Sequence, residues 1–364
     1  MIEDRRCDPI ALVRLALPLL LPLAFMVMVV PSGFLLESPG PAFDLQADLE
    51  VEGAETFKPE GELLLTSVSI QESNLIDCAL SLFDGGLDVI RVRDYLGDEL
   101  DTEVQDIVDT AITFVSQDTA TVAGLREVGV PVEVWGMGAL VVAVAGGYPA
   151  QGLVRAGEVI VAVNGEPVTD GGSLNSLINA APEGENVALT LRALDGQRVK
   201  EAAQAPTDGS EKRPDLASLL QEEERVVEMV PVYEPALERR VIGVSIRDYF
   251  TYSTGVRVNW DLETVRGPSA GLMMTLSLVN ALTPLDLTAG KKVAGTGEIT
   301  LDGGVGPIGG LPMKIRAAES EGAEVFIYPL GNQDDLAGIS TDMELHGVST
   351  LREAVEYLRS LASR

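Results

Sequence analysis

Gly267-Pro268-Ser269-Ala270-Gly271 opens a run from Ala270 to Leu285 that holds no charged residue. Such a run, entered through glycine and proline, reads as a buried helix with Ser269 at its N-terminus. Taken alone, Ser269 is an N-cap whose hydroxyl accepts a free backbone N–H. A second feature lies 45 residues downstream (314 − 269), where Gly309-Gly310-Leu311-Pro312 leads into a helix from Pro312 to Glu321 that Gly322 ends. Proline in the first turn and glycine just past the end are the expected punctuation. Lys314 sits in that first turn, one turn before Ala317 and Ala318, whose small side chains let another element pack close. The chain has six lysines (58, 200, 212, 291, 292 and 314) against 20 arginines. A lysine kept at a buried helix start points to chemistry, because ammonium can lose its proton and guanidinium cannot. To act as a base near neutral pH it must fall from about 10.4 to about 7–8, which burial and the positive end of a helix dipole both favour.

The pentapeptide also fits Gly-x-Ser-x-Gly, the tight strand-to-helix turn of α/β-hydrolases. That reading needs an acid and then a histidine, and Asp286, Asp302 or Asp334 followed by His346 satisfy the order. Against it, Asn259 to Arg266 is a poor match to a buried parallel strand, and only 95 residues follow the serine.

Other classes are excluded by composition. Among 364 residues, 26 Lys and Arg stand against 56 Asp and Glu, a net charge of −30 that repels phosphate backbones, so no nucleic-acid partner is expected. One histidine and two cysteines, Cys7 and Cys78, do not make a zinc site, and no metal or cofactor is expected. Gly290-Lys291-Lys292 lacks the first glycine and the hydroxyl of a P-loop, so no nucleotide is expected either. Gly304-Val305-Gly306-Pro307-Ile308-Gly309 has the spacing of a dinucleotide loop, but proline distorts the turn and no acid closes a following strand.

With Thr296-Gly297-Glu298-Ile299-Thr300 and Gly306-Pro307-Ile308-Gly309-Gly310 added, the C-terminal part closely resembles the proteolytic domain of Lon-type proteases. It resembles most the ATPase-free, membrane-anchored, PDZ-containing Lon-like peptidases of bacteria. The resemblance implies a Ser–Lys dyad, with Ser269 as nucleophile, Lys314 as general base, Thr296 orienting the lysine, and Gly267, Pro268 and Ala270 shaping the turn. It also implies assembly as a hexamer. Many Lon domains carry an acid just before Gly-Pro-Ser, where this chain has Val265-Arg266.

Working upstream, residues 207–236 are charged and proline-punctuated and read as an acidic linker, with one exposed helix around Leu216 to Val227. Residues 132–206 have the texture of short strands with glycine turns. Tyr148-Pro149-Ala150, then Leu153 to Ile160, then Asn164-Gly165-Glu166-Pro167-Val168 resemble a bacterial PDZ domain, with Glu158 where aspartate is usual. A PDZ domain takes extended peptides as an added strand. In residues 37–131, Glu62 to Ile70 reads as a strand and Asp101 to Leu125 as a helix, and neither carries a chemical signature.

Leu15 to Leu36 holds no charge over 22 residues, about 33 Å of helix. Arg5, Arg6 and Arg14 precede it and Glu37 follows, which places residues 1–14 in the cytoplasm and the rest outside a bacterial cell membrane. A cleavable signal peptide is the competing reading. Cys7 and Cys78 then lie on opposite sides and cannot pair.

The expectation is an α+β chain: a transmembrane helix at 15–36, a PDZ-like module, and a Lon-type proteolytic domain at 237–364. Its function would be ATP-independent cleavage of unfolded or flexible polypeptides outside the cytoplasm, with the PDZ-like module selecting or gating them. The alternatives are a non-catalytic peptide-binding scaffold and the Ser-Asp-His esterase.

Overall fold

The computed structural model describes residues 31–47, 49–81, 87–92, 102–205, 214–260, 262 and 266–363. In chain order the first elements are β1 (Pro31–Asp44), β2 (Leu49–Glu52), β3 (Glu62–Asn74), α1 (Leu75–Ser81), β4 (Asp88–Arg91) and α2 (Thr102–Glu127). There follow β5 (Glu133–Val144), β6 (Glu158–Val163), β7 (Glu166–Pro167), α3 (Gly171–Ala180), β8 (Val187–Leu194), α4 (Gly196–Gln204), β9 (Leu220–Met229), β10 (Val232–Glu234), β11 (Arg239–Val241), β12 (Val244–Ser253) and β13 (Arg257–Trp260). The last are α5 (Gly271–Ala281), β14 (Lys292–Gly295), β15 (Glu298–Ile299), β16 (Val305–Gly306), α6 (Leu311–Ser320), β17 (Val325–Pro329), β18 (Glu344–Val348) and α7 (Leu351–Ala362).

Two sheets organise the chain. The first runs β18-β17-β14-β3-β1-β4. Its four strands from β18 to β3 are parallel, and β1 and β4 close that edge antiparallel. Parallel strands must be covered on both faces, and the side-chain alternation shows how this is done. Leu63, Leu65, Val293, Val325 and Ile327 turn to the face packed by α5 and α7, while Leu64, Ala294, Phe326 and Tyr328 turn to the face packed by α6. Hence α5 and α6, the two helices read from the sequence, lie on opposite sides of one sheet. They can meet only past a strand end.

The second sheet, β12-β5-β6-β8-β9, is antiparallel. One face buries Ala139, Val141, Ile160, Leu189 and Leu191 against Leu174 and Ile178 of α3. The other packs Leu140, Val159, Tyr249 and Phe250 against Val108, Ala111, Phe114 and Val115 of α2. Further along, Ala120, Ala123 and Leu125 of α2 belong instead to the core around α5. With 26 residues, roughly 39 Å long, α2 ties the two sheets together.

Several expectations are corrected here. Residues 31–36, the end of the expected membrane span, are the start of β1, where Leu35 and Leu36 pair with Glu72 and Gln71 of β3 and with Ile90 and Val89 of β4. Sheet pairing satisfies backbone groups that a helix would otherwise have satisfied internally. Residues 15–30 of that span lie outside the described residues. Among the described residues, no helix is long and apolar enough to cross a membrane. The expected linker holds a strand rather than a helix: β9 pairs with β8 from Leu220 to Met229. Its acidic residues sit exposed on an edge strand whose buried positions are the terminal Leu220 and Met229. β12, expected within the proteolytic unit, pairs with β5 over ten residues.

Candidate active site

Three residues from three elements converge beyond the C-terminal end of β14. Ser269 stands in a 3-10 turn, Pro268–Ala270, that runs into α5. Thr296 follows the last residue of β14, and Lys314 occupies the first turn of α6. Loops past the carboxyl ends of parallel strands are the usual place for such convergence.

The Lys314 Nζ donates to Ser269 Oγ at 2.7 Å and to Thr296 Oγ1 at 3.0 Å. Thr296 Oγ1 donates in turn to the Ser269 carbonyl oxygen at 3.1 Å. The threonine hydroxyl has one proton, and giving it to that carbonyl leaves its lone pairs to accept from the lysine. Lys314 is only 4% exposed. Burial lowers its pKa from 10.5 to about 8, against the pull of Glu37 and Glu298, which favours the charged form.

The turn that presents Ser269 is fixed from both sides. Gly267 has φ of +90°, a conformation L side chains rarely adopt, and Pro268 presets the next residue for the turn. Ala270 is buried, and a side chain at Gly271 would meet Ile299 Cγ2 at 2.8 Å, so only glycine lets α5 start this close to β15. From α2, Thr113 Oγ1 accepts the Gly267 N–H at 3.0 Å and Ser116 Oγ donates to the Pro268 carbonyl at 3.4 Å. Arg266 Nη1 donates to Thr110 Oγ1 at 2.8 Å. Thr110, Thr113 and Ser116 lie three residues apart, one face of the helix, and together they pin the approach to Ser269. The residue standing where many Lon domains have an acid is thus engaged with α2.

The sequence reading missed two acids and an arginine. Glu37 on β1, in the segment read as chemically silent, feels Lys314; burial and Asp88 raise its carboxyl while the Lys314 charge lowers it. Glu298 on β15 is raised by burial and lowered by Arg247 of β12, whose Nη2 donates to it at 2.6 Å, and by Lys314. Glu298 lay in plain view inside the Thr296 to Thr300 motif, whereas Glu37 was taken as the flank of a membrane span. The structure does not bring His346 into the site. It lies on β18, at the far edge of the sheet beyond β17, with its ring stacked on Tyr357 at 3.6 Å. Among the described residues no group of three or more His, Cys, Asp or Glu side chains is placed to hold a metal ion.

Residues 263–359 match the family described as Lon protease (S16) C-terminal proteolytic domain. The chain is 39% identical over 117 residues to Lon protease 1 of Herpetosiphon aurantiacus, covering 31% of this chain and 14% of that protein. It is 42% identical over 93 residues to Lon protease of Escherichia coli (strain K12), covering 24% of this chain and 12% of that protein. The chain therefore spans well under a fifth of the length of these curated relatives. Among solved structures, the PDZ domain of the SdrC-like protein Lmo2051 from Listeria monocytogenes is similar with a TM-score of 0.20 and 14% identity, covering 30% of this chain and 87% of that one. The stretch that holds Ser269, Thr296 and Lys314 is the part of this chain that matches the Lon protease C-terminal proteolytic domain.

Proposed function

We propose that the protein is a serine endopeptidase with a Ser269–Lys314 dyad, cutting unfolded or flexible polypeptides without ATP. The observation that carries this reading is the 2.7 Å approach of a buried lysine to Ser269 Oγ. A lysine titrating near 8 is neutral in an appreciable fraction of molecules at physiological pH. In the neutral form it keeps an N–H for Thr296 Oγ1 and turns its lone pair to Ser269. The serine hydroxyl attacks a peptide carbonyl as Lys314 takes its proton, and the same proton passes to the leaving amine. Backbone N–H groups at the start of the Ser269 turn hold the oxyanion, and water then releases the acyl group from Ser269.

The resemblance to ATPase-free Lon-like peptidases supports ATP independence, and a peptidase acting without an unfoldase is restricted to chains already extended. The β-rich sheet selects or gates substrates as a PDZ-like module, and the chain assembles as a hexamer, by resemblance. The apolar run before β1, with Arg5, Arg6 and Arg14 on its N-terminal side, tethers the protein to a bacterial cell membrane with the catalytic part outside. Membrane fractionation and protease shaving of intact cells test that placement; loss of the ectodomain on shaving supports it, and full protection contradicts it.

The dyad is tested by reacting the full chain with a fluorophosphonate and locating the adduct by mass spectrometry. The expected result is one adduct, on Ser269, in the wild type and none in Lys314→Ala. An adduct whose formation depends on His346 instead would point to the esterase.

A further inference from the structure

Glu298 sits two residues past Thr296, is ion-paired with one cation and lies within electrostatic reach of a second. Lys314 acts on it from α6, across the end of the first sheet. Arg247 reaches it from β12, the terminal strand of the second sheet, by a hydrogen bond of 2.6 Å between Nη2 and Oε1. Both partners of this ion pair are partly buried, at 36% and 24% exposure. The pair lines a cleft of about 170 Å³ whose walls include Ser116 of α2, Pro268 beside the nucleophile, and Ile246 and Asp248 of β12.

We propose that Arg247 is a positioning residue for Lys314, acting through Glu298, so that the β-rich sheet helps set the electrostatic environment of the dyad. This rests on the dyad reading for its meaning in catalysis. Three observations carry it. Neighbours on β12 have other employment: Ile246 packs with the core around α3, and Asp248 Oδ1 accepts the Gly171 N–H at the start of α3 at 2.8 Å. Arg247 reaches out of its sheet to Glu298 of β15, a strand that pairs with β16. Among the described residues its buried Nε has no hydrogen-bond partner, Nη1 has a long 3.4 Å bond to the Ile246 carbonyl, and Glu298 is its one short contact. A guanidinium placed for structure alone would be expected to satisfy its buried donors. Finally, among the described residues the charges acting on Lys314 are two acids, Glu37 from β1 and Glu298 from β15, with Asp88 of β4 acting on Glu37 and Arg247 on Glu298. Both acids favour the charged, inactive form of the amine, against the larger effect of burial. Arg247 is the group that offsets one of them.

The sign is therefore fixed. Removing the Arg247 charge leaves Glu298 uncompensated and moves the Lys314 titration to higher pH, and removing the Glu298 charge moves it to lower pH. The test is a direct titration of Lys314 by NMR in the full chain carrying isotope-labelled lysine, with the signal assigned by its loss in Lys314→Arg. Arg247→Gln should raise the midpoint by about 0.5 pH or more, Glu298→Gln should lower it by a similar amount, and the double variant should match Glu298→Gln, because an arginine that acts through Glu298 has no effect once that charge is gone. Arg247→Lys should restore most of the wild-type midpoint. Unchanged midpoints in both single variants, or shifts of the same sign, would overturn the proposal. Because the readout is a proton and not turnover, a wild-type chain that cleaves nothing while showing these shifts would defeat the dyad reading and leave the Arg247–Glu298–Lys314 coupling standing.

Discussion

Thr296 joins both members of the dyad, accepting from Lys314 Nζ at 3.0 Å and donating to the backbone carbonyl of Ser269 at 3.1 Å. It is fully buried at the end of a parallel strand, so its χ1 is held by packing as well as by these bonds. Thr296→Val keeps the shape and removes the hydroxyl, leaving the lysine one acceptor short. Turnover of an unfolded protein should fall about 10- to 100-fold with the fold retained, at a stability cost of about 1–3 kcal/mol. Thr296→Ser should recover most of the rate. Equal activity in the valine variant, measured by steady-state kinetics beside circular dichroism, would remove Thr296 from the account.

The protonation of Lys314 makes two predictions of opposite use. Activity needs the neutral amine, so cleavage should rise about tenfold per pH unit below about 8 and level off above it. Stability follows the same proton. Above about 8 the folded chain has released a proton that an unfolded lysine keeps to 10.5, so this group's contribution to stability increases with pH across that window. Lys314→Met has no such dependence. Its stability relative to the wild type should decline by about 3 kcal/mol between pH 7 and pH 11, read from denaturant unfolding at the two pH values.

Glu37 links β1 to the chemistry. Glu37→Gln removes a charge that favours the lysine ammonium, so the acid limb of the rate profile should move to lower pH, with more activity at pH 6.5 than the wild type shows. A truncation that begins at residue 45 removes β1 from the sheet, strips cover from β3 and β4, and should abolish soluble expression. One that begins at residue 31 keeps β1 whole and should fold.

Gly267→Ala isolates backbone conformation from space, because a methyl group there would meet nothing within 4 Å. The φ of +90° is the whole cost, about 1–2 kcal/mol if the turn holds and a displaced Ser269 if it relaxes. Thermal unfolding should show the modest loss while the rate of Ser269 acylation drops far more. Proportionate losses would mean that the turn does not need its strain to present the serine.

What could be read from the sequence divides along a physical line. Ser269 and Lys314 were legible because glycines and prolines mark their turns locally, Thr296 only through the family resemblance, and α2 because its apolar spacing is helical over seven turns. β1 was not, since an apolar, proline-containing strand next to a longer apolar run has no boundary that periodicity can show. β9 was hidden by the opposite cause: most of its positions face solvent and carry acids, so its strand character comes from pairing with β8 rather than from burial. The Arg247–Glu298 pair joins residues 51 apart on two sheets, and nothing local to either one announces the other.

The central claim is that Ser269 cuts peptide bonds with Lys314 as its base. Cleavage of a permanently unfolded protein by the full chain, compared across wild type, Ser269→Ala, Lys314→Ala and His346→Ala with no nucleotide added, tests it most directly. The account predicts cleavage by the wild type and by His346→Ala, and a loss of about 10³-fold or more in each of the other two. Undiminished cleavage by Lys314→Ala would contradict it.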